Sequence, residues 1–127
     1  MYKRLLLVII LLLLCITISI GSFFTVSYIS EDLTEELENF LIYAEEDNEI
    51  LTLVTIDNCI EKLNSYEKIY AIFLDHSLFE SLMIAVPSIK HLYETGNSDE
   101  AMDKCFESIE TLKIIVHEQK PSFENVF

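Results

Sequence analysis

A chain of 127 residues has room for one small domain at most, and this one carries 22 acidic side chains against 8 basic ones, a formal net charge of −14. All the acids follow residue 30, together with only six lysines and no arginine, so that later part carries −16. A field of that sign repels the phosphates of nucleic acid and of anionic lipid, which excludes DNA or RNA binding, and without arginine no arginine-based phosphate clamp can form there.

The chain opens Met1-Tyr2-Lys3-Arg4 and then runs without a charged residue from Leu5 to Ser30. A helix over Leu5–Ile29 would reach about 37 Å against roughly 30 Å of bilayer hydrocarbon, so residues 5–29 are expected to form a transmembrane signal-anchor helix in contact with the lipid bilayer. Tyr2 stands at one edge and Phe23, Phe24 and Tyr28 at the other, where aromatic rings favour the headgroup layer. Two other readings of the opening compete. A lipoprotein leader needs a small residue before its cysteine, but Leu14 precedes Cys15 and apolar residues continue to Phe24. A signal peptide cleaved after Gly21 would find a small-x-small exit in Ser19-Ile20-Gly21, yet the apolar region before it is already long and resumes beyond it. A retained anchor accounts for the segment best. Lys3 and Arg4 before the span, and Glu31 and Asp32 after it, place residues 1–4 in the cytoplasm and the C-terminal domain outside the cell membrane.

Residues 30–120 read as helix throughout, with apolar side chains at the three-and-four spacing of a single helix face. Ser30, followed by two acids, is placed to cap a first helix with the stripe Leu33, Leu37, Phe40 and Ala44. Glu45-Glu46-Asp47-Asn48 turns the chain into a second stripe of Leu53, Ile56, Ile60 and Leu63, then Tyr70 and Phe73. Asp75-His76-Ser77 divides this from a third, Leu78, Leu82, Ala85, Ile89 and Leu92, within which Pro87 either kinks one helix or splits two short ones; the common phase across it favours the kink. Gly96 ends that helix, and Ser98 can cap a fourth, with Met102, Cys105, Ile109, Leu112 and Val116 facing inward. Pro121 is expected to stop the last helix and leave residues 121–127 as a C-terminal tail. The fold class is therefore all-α: an N-terminal transmembrane helix followed by a small up-down bundle of about four helices, with Leu53, Ile60, Leu82, Ile89 and Ile109 in its core.

Little in this sequence supports chemistry. His76 follows Asp75 at a helix junction with Glu80 one turn on, the one grouping from which a small metal-binding or enzymatic site could be built. The same residues suit a helix cap, with Ser77 and Glu80 at capping-box spacing. His91 and Glu94 could share a face, but no second pair completes a metal site, and His117 suits the last turn of a helix. Cys59 and Cys105 lie on or beside apolar stripes as small buried hydrophobes, or pair as a disulfide outside the membrane. The acid clusters around Glu35-Glu36-Glu38 and Glu45–Glu49 lack the central glycine of a calcium loop and read as solvated faces and a turn. No catalytic, cofactor-binding or metal residue is assigned and no cofactor is implied. The chain is expected not to be an enzyme but a tethered module with a protein partner.

Taken in order, the Lys/Arg-plus-aliphatic start, Glu31-Asp32-Leu33-Thr34-Glu35-Glu36-Leu37, Phe73-Leu74-Asp75-His76 and the ending Glu124-Asn125-Val126-Phe127 give a resemblance over nearly the whole length. The chain resembles the family catalogued as domain of unknown function 4363, small membrane-anchored bacterial proteins. It departs from that family in having no tryptophan in the second helix, where Tyr66 and Tyr70 stand, and in placing Pro87 inside a usually continuous helix. The resemblance implies the helical architecture and carries no catalytic residue with it.

Overall fold

The computed structural model describes residues 1–73 and 76–126, and the side chains of residues 1–69 and 77–117. Four helices, α1 (Tyr2–Glu45), α2 (Glu49–Phe73), α3 (His76–Glu94) and α4 (Ser98–Val126), account for nearly all of them, with no strand among the described residues. Each helix packs on its neighbours in a square, α1 beside α2 and α4, and α3 beside the same two. The diagonal pairs, α1 with α3 and α2 with α4, bring no described Cα atoms within 8 Å. This is the expected up-down bundle.

Helix α1 differs from the expectation at its centre. No break occurs at Ser30, which is buried within one continuous helix of 44 residues rather than capping a new one. Nothing between Gly21 and Asp32 interrupts the backbone ladder, and Gly21 is tolerated inside it, its carbonyl accepting a 2.8 Å hydrogen bond from the Thr25 hydroxyl. Residues 1–21 are all exposed, whereas Val26, Ile29, Leu33, Leu37, Phe40 and Ala44 are buried. The bundle therefore starts near residue 22, inside the segment 5–29 expected to be free of it. The uncovered helix from Tyr2 to Gly21 measures about 30 Å, the thickness of a bilayer's hydrocarbon core, and is long and apolar enough to cross one. The Thr17 and Ser19 hydroxyls turn back on their own helix, to Leu13 O at 2.8 Å and to Cys15 O at 2.9 Å, so neither adds a polar demand for solvent.

The two described hairpin turns share one geometry. After α1, the Asp47 N–H bonds Ala44 O and the Asn48 N–H bonds Tyr43 O; after α3, Gly96 and Asn97 do the same with Tyr93 O and Leu92 O. Both are Schellman caps with the residue after the helix in the left-handed region, Asp47 at φ 56° and Gly96 at φ 85°. The Asn48 side chain then caps α2 by accepting the Leu51 N–H at 3.3 Å. Helix α4 begins at Ser98, with Asn97 O accepting the first helical bond, so Ser98 lies within the helix and Asn97 takes the capping position.

Leu82, Ile89 and Ile109 are core residues as expected, but Leu53 and Ile60 are only half-buried. In α2 the inward face is Thr52, Thr55, Ile56, Cys59 and Leu63, turned by about one residue from the expected stripe. In α3 Phe79 and Val86 replace Leu78 and Ala85 as the buried members. Phe40, fully buried, meets Tyr93 edge-on at 5.8 Å, so two rings bridge the diagonal that backbones cannot. Pro87 does not split α3; it is exposed on the outer face, where carbonyls freed by the missing N–H can turn to water. Nor does Pro121 stop α4, which runs on to Val126 through the position expected to begin the tail. Proline removes only its own backbone donor, and the helical bonds on either side can carry the chain past it.

Candidate functional site

The densest polar constellation lies between α1 and α2. Asp32 and Glu36, one turn apart on α1, both receive the Lys62 ammonium of α2, at 2.9 Å each. The Tyr66 hydroxyl, a turn beyond Lys62, donates to the other Asp32 oxygen at 2.6 Å. These positions adjoin the buried stripes, so the groups are partly shielded: the side chains of Asp32 and Glu36 are 21% and 19% exposed, that of Lys62 36%.

Burial works against the Asp32 carboxylate, but the Tyr66 and Lys62 hydrogen bonds and the Lys62 charge outweigh it and hold its pKa below the usual value. Bonds to Asp32 and Glu36 raise the Lys62 ammonium. The bond to Asp32, then burial, pushes Tyr66 up to about 12. Every shift moves a group away from neutrality, the reverse of what a general acid or base needs near physiological pH. The constellation acts as a clasp. Solvent around Lys62 limits each of its ion pairs to about 1 kcal/mol or less. A second clasp, Lys90 to Asp57 at 2.6 Å, joins α3 to α2 on the surface.

Cys59 and Cys105 are free and buried. They sit on the diagonal helices α2 and α4, whose Cα atoms all stand more than 8 Å apart, beyond the reach of a disulfide. The pairing weighed from the sequence is therefore not made. The Cys105 thiol donates instead to Leu37 O at 3.2 Å. Burial above all pushes both thiols up to about 12, with Glu36 adding to the effect on Cys59, so neither is a ready nucleophile.

The residues singled out from the sequence are scattered. Asp75 and the side chain of His76 lie outside the described residues, and Glu80 is exposed on α3. Helix α3 starts at His76, which puts Ser77 inside its first turn rather than at the cap. His91 is exposed while Glu94 lies 3.7 Å from Lys90. His117 is exposed in the body of α4, nine residues short of its end, where the helix dipole gives it no special support. Glu36 joins the α1–α2 clasp, whereas Glu35 and Glu38 face a groove between α1 and α4. Among the described residues no three His, Cys, Asp or Glu side chains come together in a metal-binding group.

Sequence reasoning missed the clasp. Its only trace is acids at 32 and 36 and Lys62 and Tyr66, each pair at i, i+4 beside an apolar stripe; joining them requires the register of α1 against α2. Compared with known families, the chain is matched over residues 20–126 by the model described as Domain of unknown function (DUF4363). The match begins within two residues of where packing begins. No curated protein and no solved structure matches the chain.

Proposed function

This chain belongs to the family described as Domain of unknown function (DUF4363), whose model spans the whole packed bundle, and on that footing we propose a membrane-anchored, non-catalytic helical module that binds another protein at a bacterial cell envelope. The observation that carries this reading is the division of α1 at residue 21. The exposed, uncharged helix of residues 5–21 passes without a break into an acidic bundle. So large an apolar surface is unstable in water and marks contact with a membrane or another protein. Lys3 and Arg4 orient the N-terminus to the cytoplasm, leaving the bundle outside. The densest polar groups of the bundle, Asp32, Glu36, Lys62 and Tyr66, form a clasp that fixes helix to helix, and the shifts of Asp32, Lys62 and Tyr66 run away from neutrality, which favours a binding scaffold over a reaction centre.

Cross-linking in intact cells, followed by purification of the full chain from membranes, tests the binding part. A discrete adduct with another protein is expected. Recovery of the chain with only lipid and copies of itself would contradict it.

A further inference from the structure

Helices α1 and α4 do not close fully on one another. Between them runs an open groove of about 400 Å³, with Leu112 and Val116 of α4 in its floor. Along its α1 rim stand Glu31, Glu35 and Glu38, at i, i+4 and i+7, and Lys113 stands on the α4 rim. Lys113 lies 3.3 Å from Glu110 of its own helix. None of the three rim glutamates has a cation within ion-pair distance among the described residues. Like charges one turn apart on a helix repel, so the ridge is left unneutralised by the bundle itself.

We propose that this groove is a docking site for a basic amphipathic helix of another protein. The inference deepens the protein-binding reading and rests on it. Charge complementarity selects the occupant. An anionic lipid surface and a second copy of this chain both bring negative charge to a negative rim, since residues after 30 carry a net −16. A helix laid along α1 repeats every 3.6 residues, so lysines or arginines at i, i+4 and i+7 fall opposite the three glutamates. Its apolar face then meets the half-buried Val116, with Leu112, already covered by the bundle, beneath it; the floor accepts side chains but no folded domain. The carboxylate rim gives orientation and encounter rate, and the floor gives the apolar anchor.

The test uses the full chain in phosphatidylcholine nanodiscs and a synthetic 18-residue helical peptide with lysines on one face and two leucines on the other. One leucine is replaced by a photoreactive group. Cross-links are expected within residues 30–38 and 112–116, and a peptide with glutamate for every lysine should give none. The variant carrying Glu31→Lys, Glu35→Lys and Glu38→Lys should bind the basic peptide about tenfold more weakly, as three exposed ion pairs together allow. Its control carries Glu61→Lys, Glu67→Lys and Glu107→Lys, the same change in net charge on exposed sites outside the groove, and should bind nearly as the native chain does. Equal weakening in both variants, cross-links spread over the acidic surface, or cross-links to lipid alone would overturn the groove. If the protein adduct formed in cells survives the groove reversal unchanged, the groove is wrong while the protein-binding reading stands.

Discussion

The two halves of α1 are one helix in two settings. Residues 5–21 carry no charge, are apolar on nearly every side and are entirely uncovered; residues 22–45 carry an apolar stripe, and that stripe is buried together with Ser30. Backbone structure is the same in both, so the difference lies in side-chain distribution. An all-round apolar surface has no face to offer water and calls for an apolar surround, whereas a striped one can bury its apolar side against neighbouring helices and hydrate the rest. The change occurs within a turn or two, at Gly21 to Val26, where Phe23 and Phe24 pack edge-on at 5.9 Å.

The largest test of this contrast removes a ring from the packed half. Phe40→Ala should destabilise the bundle by about 3–5 kcal/mol in thermal or denaturant unfolding, and Leu82→Ala in α3 by about 2–5 kcal/mol. Leu11→Ala, in the uncovered half, should leave that transition within about 0.5 kcal/mol of native. A comparable loss from Leu11→Ala would mean that the first half also packs on the bundle. Leu11→Arg places a charge mid-segment at about 3 kcal/mol in insertion, so it should reduce recovery in the membrane fraction. Glu38→Arg, on the outer face of the packed half, should not.

The core itself was only partly legible. Leu33, Leu37, Phe40 and Ala44 were plain because apolar residues occupy nearly every inward position of that helix. Helix α2 was read a residue out of phase because its inward positions include Thr52, Thr55 and Cys59, while Ile50 and Val54 lie exposed. Those threonines can turn inward because each hydroxyl is satisfied on its own helix, Thr52 on Asn48 O at 2.6 Å and Thr55 on Leu51 O at 2.7 Å. Apolar periodicity does not register that self-satisfaction. In α3, Leu78-Phe79 and Ala85-Val86 offer two stripes in equal phase, and only packing against the neighbouring helices chooses between them. The clasp was illegible for a related reason: its partners are 26 to 34 residues apart in sequence and meet only through helix register.

The buried thiols sharpen the contrast with the exposed Cys15 of the first half. Because their folded pKa values are raised from 9.0 to about 12, the stability they contribute is complete below pH 9 and is lost as pH climbs toward 12. Each should steepen the alkaline limb of the stability curve by up to about 1.4 kcal/mol per pH unit. Replacing Cys59 and Cys105 with alanine should flatten that limb, leaving the slope due to Tyr66 and Lys62.

A smaller effect separates the two turns that share one geometry. Gly96→Ala forces a side chain into the left-handed region and should cost about 1 kcal/mol, whereas Asp47→Gly relieves the same constraint and should be neutral or stabilising by up to about 1 kcal/mol. The smallest concerns the clasp in acid. Asp32 titrates below its ordinary value when folded, so its contribution is present above that ordinary pKa and fades as pH falls through the folded one. Asp32→Asn should make the acid limb of the stability curve slightly shallower, since partial exposure keeps the effect small.

The most direct test of the central claim is the intact mass of the protein in alkaline-washed membranes. A retained anchor predicts a mass that still includes residues 1–21 in the membrane pellet, with nothing in the medium. A mature chain beginning at Ser22 and recovered in solution would contradict it, since cleavage there would release a bundle whose packed residues are all still present.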